Sequence, residues 1–158
     1  MTDASNETPR VNVSGKKTVS LVISVWNRKD DLRENLATIR QQTVPADQVI
    51  VVDNNSSDGT PEMVIAEFPE VQLIRMPHSD YGACETFNVG FSSAKGDFVG
   101  ILDDDVILPV TFVEHMVNKF AEEPDSTAIL SPKVVEPEMP EWYLTSETIN
   151  RERYLSTF

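Results

Sequence analysis

The stretch FVGILDDD, residues 98–105, decides how the rest of the chain is read. A short apolar run that ends in three carboxylates reads as a strand buried on both faces, the kind found in parallel sheets covered by helices. In such sheets the ligand crevice lies beyond the carboxyl ends of the strands, which is where Asp103, Asp104 and Asp105 fall. In an extended chain Asp103 and Asp105 point the same way, with Cα atoms roughly 6–7 Å apart, and Asp104 points elsewhere. Two readings are open: a polar loop entry, or a site for a hard divalent cation that takes oxygen ligands and leaves room for a phosphate. Adjacent acids repel one another unless a cation sits among them, which favours the second.

Working outward, residues 18–25 (TVSLVISV) are rich in β-branched side chains and form a first strand, with Trp26, Asn27 and Arg28 at its carboxyl end. Leu32, Leu36 and Ile39 then recur at helical spacing as far as about Gln42, with Asp30 or a neighbour as cap. Residues 48–52 (QVIVV) are a second strand, and the polar loop 53–59 (DNNSSDG) follows at its ligand-bearing end. Thr60 as N-cap and Pro61 at the first helical position open a helix that carries Met63, Val64 and Phe68 inward. Residues 71–74 are a third strand. A helix over 81–93 has Ala83, Phe87 and Phe91 along one face, with Gly82 and Gly90 where backbones pack closely. Beyond the acidic triplet, residues 109–121 form a helix with Phe112, Val113, Met116, Val117 and Phe120 on its apolar side. Residues 127–130 read as a fifth strand that extends toward Val135.

Strand and helix thus alternate, and right-handed crossovers make a mainly parallel sheet with helices on both faces. Neither Gly-x-Gly-x-x-Gly nor Gly-x-x-x-x-Gly-Lys-Ser/Thr follows the first strand, which argues against a dinucleotide site and a P-loop. The length of 158 residues suits one domain. The pattern divides it into a polar tail (1–16), an α/β domain (17–135) and an irregular C-terminal tail (136–158). A net charge of -13, from 13 basic and 26 acidic residues, opposes binding to nucleic acid. The single Cys84 allows no intramolecular disulfide, fits a reducing compartment, and reads as a small core filler on its helix. The N-terminal residues are too polar for a signal peptide and no run of about eighteen apolar residues occurs. The expectation is a cytoplasmic protein with no transmembrane segment, with peripheral membrane association left open.

The runs 19–28 (VSLVISVWNR), 49–61 (VIVVDNNSSDGTP) and 101–105 (ILDDD), with Asn88, Gly90, Gly96 and Asp97 between them, stand in a fixed order and spacing. Over about residues 18–135 this set resembles the nucleotide-sugar-binding half of a family 2 glycosyltransferase. The resemblance implies the GT-A fold, a Rossmann-like three-layer α/β sandwich, and an inverting transfer of sugar from a nucleotide-diphospho-sugar donor of the UDP, dTDP or GDP type. It implies that Val25, Trp26, Asn27 and Arg28 line the base pocket and that Asp53 contacts base or ribose. It also implies that Asp103 lies near ribose and metal, and that Asp105 is the closer ligand of a Mn²⁺ or Mg²⁺ ion. The chemistry agrees, because a divalent cation stabilises a departing nucleoside diphosphate.

Several residues keep two readings. Asp53 can accept hydrogen bonds from a nucleotide or organise the loop after it as an Asx-turn. Trp26 packs under a base or at the edge of the core, and Arg28 caps the pocket or lies on the surface. Asp58 reads as a cap or turn residue, and His78 as an exposed loop residue. Phe87 stands where relatives often carry a small or basic side chain, so phosphate binding leans on the metal, with Arg75 and His78 as the nearby cationic candidates. The resemblance further implies an acceptor-binding part with a catalytic carboxylate, often in a Glu-Asp pair. No such pair follows residue 105. No catalytic base is assigned, the acceptor is unknown, and the chain reads as ending where the acceptor part begins. A remnant that keeps only the donor-binding fold is the alternative reading. A sugar-nucleotide synthesising enzyme is disfavoured because the loop 26–29 (WNRK) has no glycine.

Overall fold

The computed structural model describes residues 17–132, so the tails expected over 1–16 and 136–158 lie outside the described residues. The elements are Val19–Val25 (β1), Lys29–Arg40 (α1), Gln48–Asp53 (β2), Thr60–Glu67 (α2), Gln72–Arg75 (β3), Ala83–Ser93 (α3), Phe98–Leu102 (β4) and Phe112–Glu122 (α4). The four strands pair in parallel in the order β3-β2-β1-β4. The chain therefore winds outward from β1 to β3 and returns through α3 to lay β4 on the other side of β1. That reversal is the topological switch point of a doubly wound sheet, where ligands bind beyond the strand ends.

Side-chain alternation assigns the two faces. Leu21, Ile23, Val25, Val51 and Leu102 point to one side, where Leu32, Leu36 and Ile39 of α1, Met63 and Val64 of α2, and Val113 of α4 close the larger core. Val22, Ile50 and Val52 point to the other, where Phe87 and Val89 of α3 cover them. The structure thus has the three-layer parallel α/β architecture expected. The face that α3 buries is not the one the aromatic spacing suggests: Thr86 and Gly90 are its buried residues, and Phe91 is exposed. Gly90 lets the helix lie close on the sheet, since a Cβ there would come within 2.2 Å of Val22 Cγ1 and 3.3 Å of Val52 Cγ2. Gly82, by contrast, faces only the flexible end of Glu85.

At the amino-terminal end of the sheet, Asp97 ties β4 to β1. Its carboxylate accepts from the Thr18 backbone N–H at 2.9 Å and the Thr18 hydroxyl at 3.0 Å. These bonds, with the Lys17 ammonium beside them, hold the Asp97 carboxyl below its usual range.

Two helix starts differ from expectation. Asp30 makes no capping bond; the N-cap of α1 is Arg28, and the first helical N–H, that of Lys29, donates to Asp58 at 3.0 Å. The N-cap of α2 is Gly59 in the left-handed region (φ 89°) and Thr60 is already helical. Asp58 takes the capping role there too, accepting from Thr60 N–H at 3.0 Å and from its hydroxyl at 2.6 Å. One carboxylate thus satisfies orphan donors of two helices.

The expected fifth strand is not formed. Residues 125–132 belong to a separate compact unit that begins at Asp125; residues 127–130 carry no strand and Ile129 is 84% exposed. An apolar run becomes a strand only with a ladder partner, and none pairs with it among the described residues. Residues 133–135 lie outside the described residues. No helix among the described residues is long and apolar enough to cross a membrane.

Candidate functional site

The carboxyl ends of β1 and β4 open onto a cleft of about 370 Å³, lined by Ser24, Trp26, Arg28, Ala83, Phe87 and the acidic triplet Asp103–Asp105. Its place follows from register. Ile23 pairs with Leu102, so the next residues along, Ser24 and Asp103, stand side by side on the α3 face. The volume suits a small organic ligand. Trp26 presents an apolar wall, 56% exposed, opposite the acids.

The loop after β1 is shaped by Asn27. Its φ of 54° lies in the left-handed region, which Asn tolerates better than most residues. The strain is held by bonds to the loop after β2: Asn27 N–H donates to Ser56 Oγ at 2.8 Å, and its Oδ1 accepts from Ser57 N–H at 2.8 Å. This reversal turns Trp26 out into the cleft and starts α1 with Arg28 facing the acids. Asn27 is therefore a brace between two loops, and Val25 lies buried beneath them; neither side chain lines the cleft.

The acidic segment does not continue β4 as an extended chain. Asp104 and Asp105 form a turn, so Asp104 does not point elsewhere but lines the same cleft. The cause is visible from α1. Asn35, fully buried, donates from Nδ2 to Val106 O at 2.5 Å and to Asp103 O at 3.4 Å. Thr38 Oγ1 accepts from Leu108 N–H at 3.2 Å, and Gln42 bonds Pro109 O at 2.8 Å and Val113 N–H at 3.0 Å. A polar line along α1 and just past its end thus takes up backbone groups that have no strand partner, as buried polar groups require.

Four carboxylates and one guanidinium meet at the mouth. Arg28 Nη2 lies 3.1 Å from Asp105 Oδ2, and its Nε lies 3.0 Å from Asp31 Oδ2 and 3.5 Å from Asp104 Oδ1. Asp103 is exposed and faces the cleft without an ion-pair partner among the described residues. Burial pushes the Asp104 carboxyl up to about 6; Arg28 opposes this, and Asp105, Asp31 and Asp103 add to it. Bonding to Asp31 and the charge of Asp104 raise Arg28 above its ordinary value.

Among the described residues no three His, Cys, Asp or Glu side chains converge as a ready-made metal cage. The donor set nevertheless suits a hard cation of the Mg²⁺ or Mn²⁺ kind. Such ions are held by one or two carboxylates with water and substrate phosphate completing the shell, and the turn already holds one cationic group, the Arg28 guanidinium.

Asp53 is fully buried, and its carboxylate accepts from Ser56 N–H at 3.0 Å. This is the turn-forming contact that the residue type allows. Arg75 Nε lies 3.7 Å away and its Nη2 donates to Ser56 O at 3.2 Å. Arg75 therefore braces the loop after β2 and is not among the side chains that line the acidic cleft. His78 is an exposed loop residue stacked on Tyr81, with ring centroids 4.3 Å apart. Cys84 is exposed, not a core filler.

Ser24, Ala83, Asp31 and Asn35 join the site without having been singled out in the sequence. Asn35 carried a signal. It sits in the apolar stripe of α1 between Leu32 and Leu36, where an amide needs a buried partner.

The family model described as Glycosyl transferase family 2 matches residues 20–158. Glycosyltransferase GlyG of Streptococcus pneumoniae serotype 4 is 29% identical over 106 residues, covering 66% of this chain and 35% of that protein. The structure of S. aureus TarS 1-349 in complex with UDP superposes with a TM-score of 0.63 at 19% identity, over 72% of this chain and 38% of that one. Mannosyltransferase PcManGT from Pyrobaculum calidifontis, in complex with GDP-Man and Mn²⁺, gives a TM-score of 0.56 at 26% identity, over 68% and 32%. The chain spans 14–38% of the lengths of the curated relatives it matches.

Proposed function

The chain belongs to glycosyl transferase family 2, and on that premise we propose that its cleft binds the nucleotide-diphospho-sugar donor of a sugar transfer assisted by a divalent cation. The observation that carries this is the meeting of Trp26 and Arg28 with Asp103, Asp104 and Asp105 at the switch point of the sheet. Trp26 offers its ring to the base, the part of the donor with a flat apolar face. The braced loops of Asn27 and Asp53 shape that end of the cleft, with Val25 as their floor. Asp53 meets the base or ribose through the edge of the loop it organises.

Asp103 and Asp105 hold Mn²⁺ or Mg²⁺ through oxygen. The similar mannosyltransferase solved with both GDP-Man and Mn²⁺ supports a divalent cation accompanying the donor. Bound there, the cation would offset the charge that develops on the nucleoside diphosphate as it leaves. The residues of the chain do the rest. Phe87 and Ala83 wall the sugar-phosphate side of the cleft, and Ser24 presents a hydroxyl at its floor. The transfer is inverting and takes place in the cytoplasm, where a lone exposed thiol such as Cys84 stays reduced. The catalytic base and the acceptor are not assigned to any residue here.

A thermal-melting panel of UDP, dTDP and GDP with Mn²⁺ tests the reading. A ligand that binds only the folded state at 100 times its Kd adds about 2.7 kcal/mol of stability, so one of the three should raise Tm by several degrees. A well-folded sample whose Tm none of them moves would overturn the donor-site assignment.

A further inference from the structure

We propose that the Arg28 guanidinium is an internal competitor for the divalent cation: it occupies the acidic turn when the cation is absent and leaves it when the cation binds. This rests on the donor-site reading above. Arg28 is the only Lys, Arg or His among the described residues that pairs with the acidic triplet, through Asp104 and Asp105. The contact that matters is Nη2 to Asp105 Oδ2 at 3.1 Å. A metal ion held by Asp105 would share that carboxylate oxygen with the guanidinium. Two cations at one carboxylate oxygen repel, and the lone pair that faces the N–H is no longer free for the metal.

The side chain is built to leave without disturbing the fold. Arg28 is the N-cap of α1, with its carbonyl accepting from Leu32 N–H at 2.9 Å, and the preceding turn is pinned by Asn27 to Ser56 and Ser57. Only χ rotations are needed to free the fork, which is half-exposed. Its remaining bond, Nε to Asp31 at 3.0 Å, comes from α1 itself and gives it a place outside the turn. The groups facing Arg28 are Asp31 on its own helix and Asp104 and Asp105 after β4. Neutralisation by Arg28 keeps these acids together while no metal is present, at the cost of weaker metal binding before nucleotide arrives.

The test is Mn²⁺ binding by the full chain without nucleotide, read from the electron paramagnetic resonance signal of free Mn²⁺. Arg28→Gln should bind Mn²⁺ roughly three- to tenfold tighter than the wild type, the scale of releasing a few exposed ion pairs. Arg28→Lys keeps the charge but loses the fork and should fall between them. Lys119→Gln makes the same change in net charge at pairs with Glu122 and Glu123 at the end of α4 and should change nothing. Equal affinity in Arg28→Gln and wild type, or an equal gain in Lys119→Gln, overturns the proposal. If Arg28→Gln does not fold, Arg28→Lys decides by the same comparison. Asp105→Ala separates the two claims. If wild-type binding is lost in Asp105→Ala while the Arg28 variants match wild type, the competitor role fails and the metal site stands. If no variant binds Mn²⁺, the metal site fails and the competitor role with it.

Discussion

Replacing Asn35 by leucine should cost the fold little stability while loosening the acidic turn. The side chain is fully buried. It donates to Val106 O at 2.5 Å and, at the long end of the range, to Asp103 O at 3.4 Å. Losing these bonds costs about 1–2 kcal/mol in all, since one of the two is long and Val106 is only half-buried. Against that, Asn35 Oδ1 is buried with no partner, and removing such an atom returns about 1–2 kcal/mol. Leucine keeps the same branched outline, but its methyls are bulkier than the amide oxygen and nitrogen and one would press on Val106 O, so the net loss should lie within about 2 kcal/mol. Asn35→Ala lacks that bulk and should cost about 2–3 kcal/mol. Urea melts give both values. The turn that carries Asp103, Asp104 and Asp105 loses its tether in either variant, so Mn²⁺ affinity should fall about three- to tenfold. Two results would contradict this picture of Asn35. A loss above about 3 kcal/mol in Asn35→Leu would mean that Oδ1 is no liability. Unchanged Mn²⁺ affinity in a stable Asn35→Leu would mean that something other than α1 shapes the turn.

Three further outcomes follow from the geometry. Gly90→Ala should destabilise by about 1–3 kcal/mol despite a helix-propensity gain of about 1, because its Cβ meets Val22 Cγ1 at 2.2 Å and both valines are stiff; an increase in Tm would contradict the packing. Asp104→Asn should stabilise the metal-free protein in a pH-dependent way. The folded pKa is raised to about 6, so the native state holds this proton more tightly than the unfolded chain. The stability that protonation contributes is complete below about pH 4 and is lost as pH rises through 6. The variant should therefore match wild type near pH 4 and exceed it by up to about 2 kcal/mol at pH 8 in EDTA, and a difference that stays flat across that range would count against the buried-carboxyl account. Asp97→Ala should lower Tm at pH 7 and lose its effect as pH falls through the depressed Asp97 pKa, checked by melts across the acid range.

Much of this architecture is legible in the chain because parallel strands and amphipathic helices write strong patterns. The β-branched runs that become β1 and β2 and the Leu32, Leu36, Ile39 stripe needed no tertiary information. Of the residues that the family likeness singled out, Trp26, Arg28, Asp103 and Asp105 line one cleft, and Val25, Asn27 and Asp53 do not. What pattern could not supply was anything set by a partner. Residues 127–130 have the composition of a strand but no neighbour to pair with among the described residues. The acidic triplet reads as an extended pair with one residue turned away. Asn35 and Arg28, distant in sequence, bend it into a turn that brings Asp104 into the cleft. Asp58 reads as a cap or turn residue, and only the meeting of two loops shows it serving both α1 and α2.

Asp103 and Asp105 are proposed to make this cleft a metal-dependent nucleotide site. Calorimetric titration of the 158-residue chain with UDP, dTDP and GDP, each in Mn²⁺ and in excess EDTA, tests it most directly. Heat of binding for one nucleotide in Mn²⁺, abolished by EDTA and by Asp105→Ala, is the predicted result. Binding that persists unchanged in EDTA and in Asp105→Ala would contradict it.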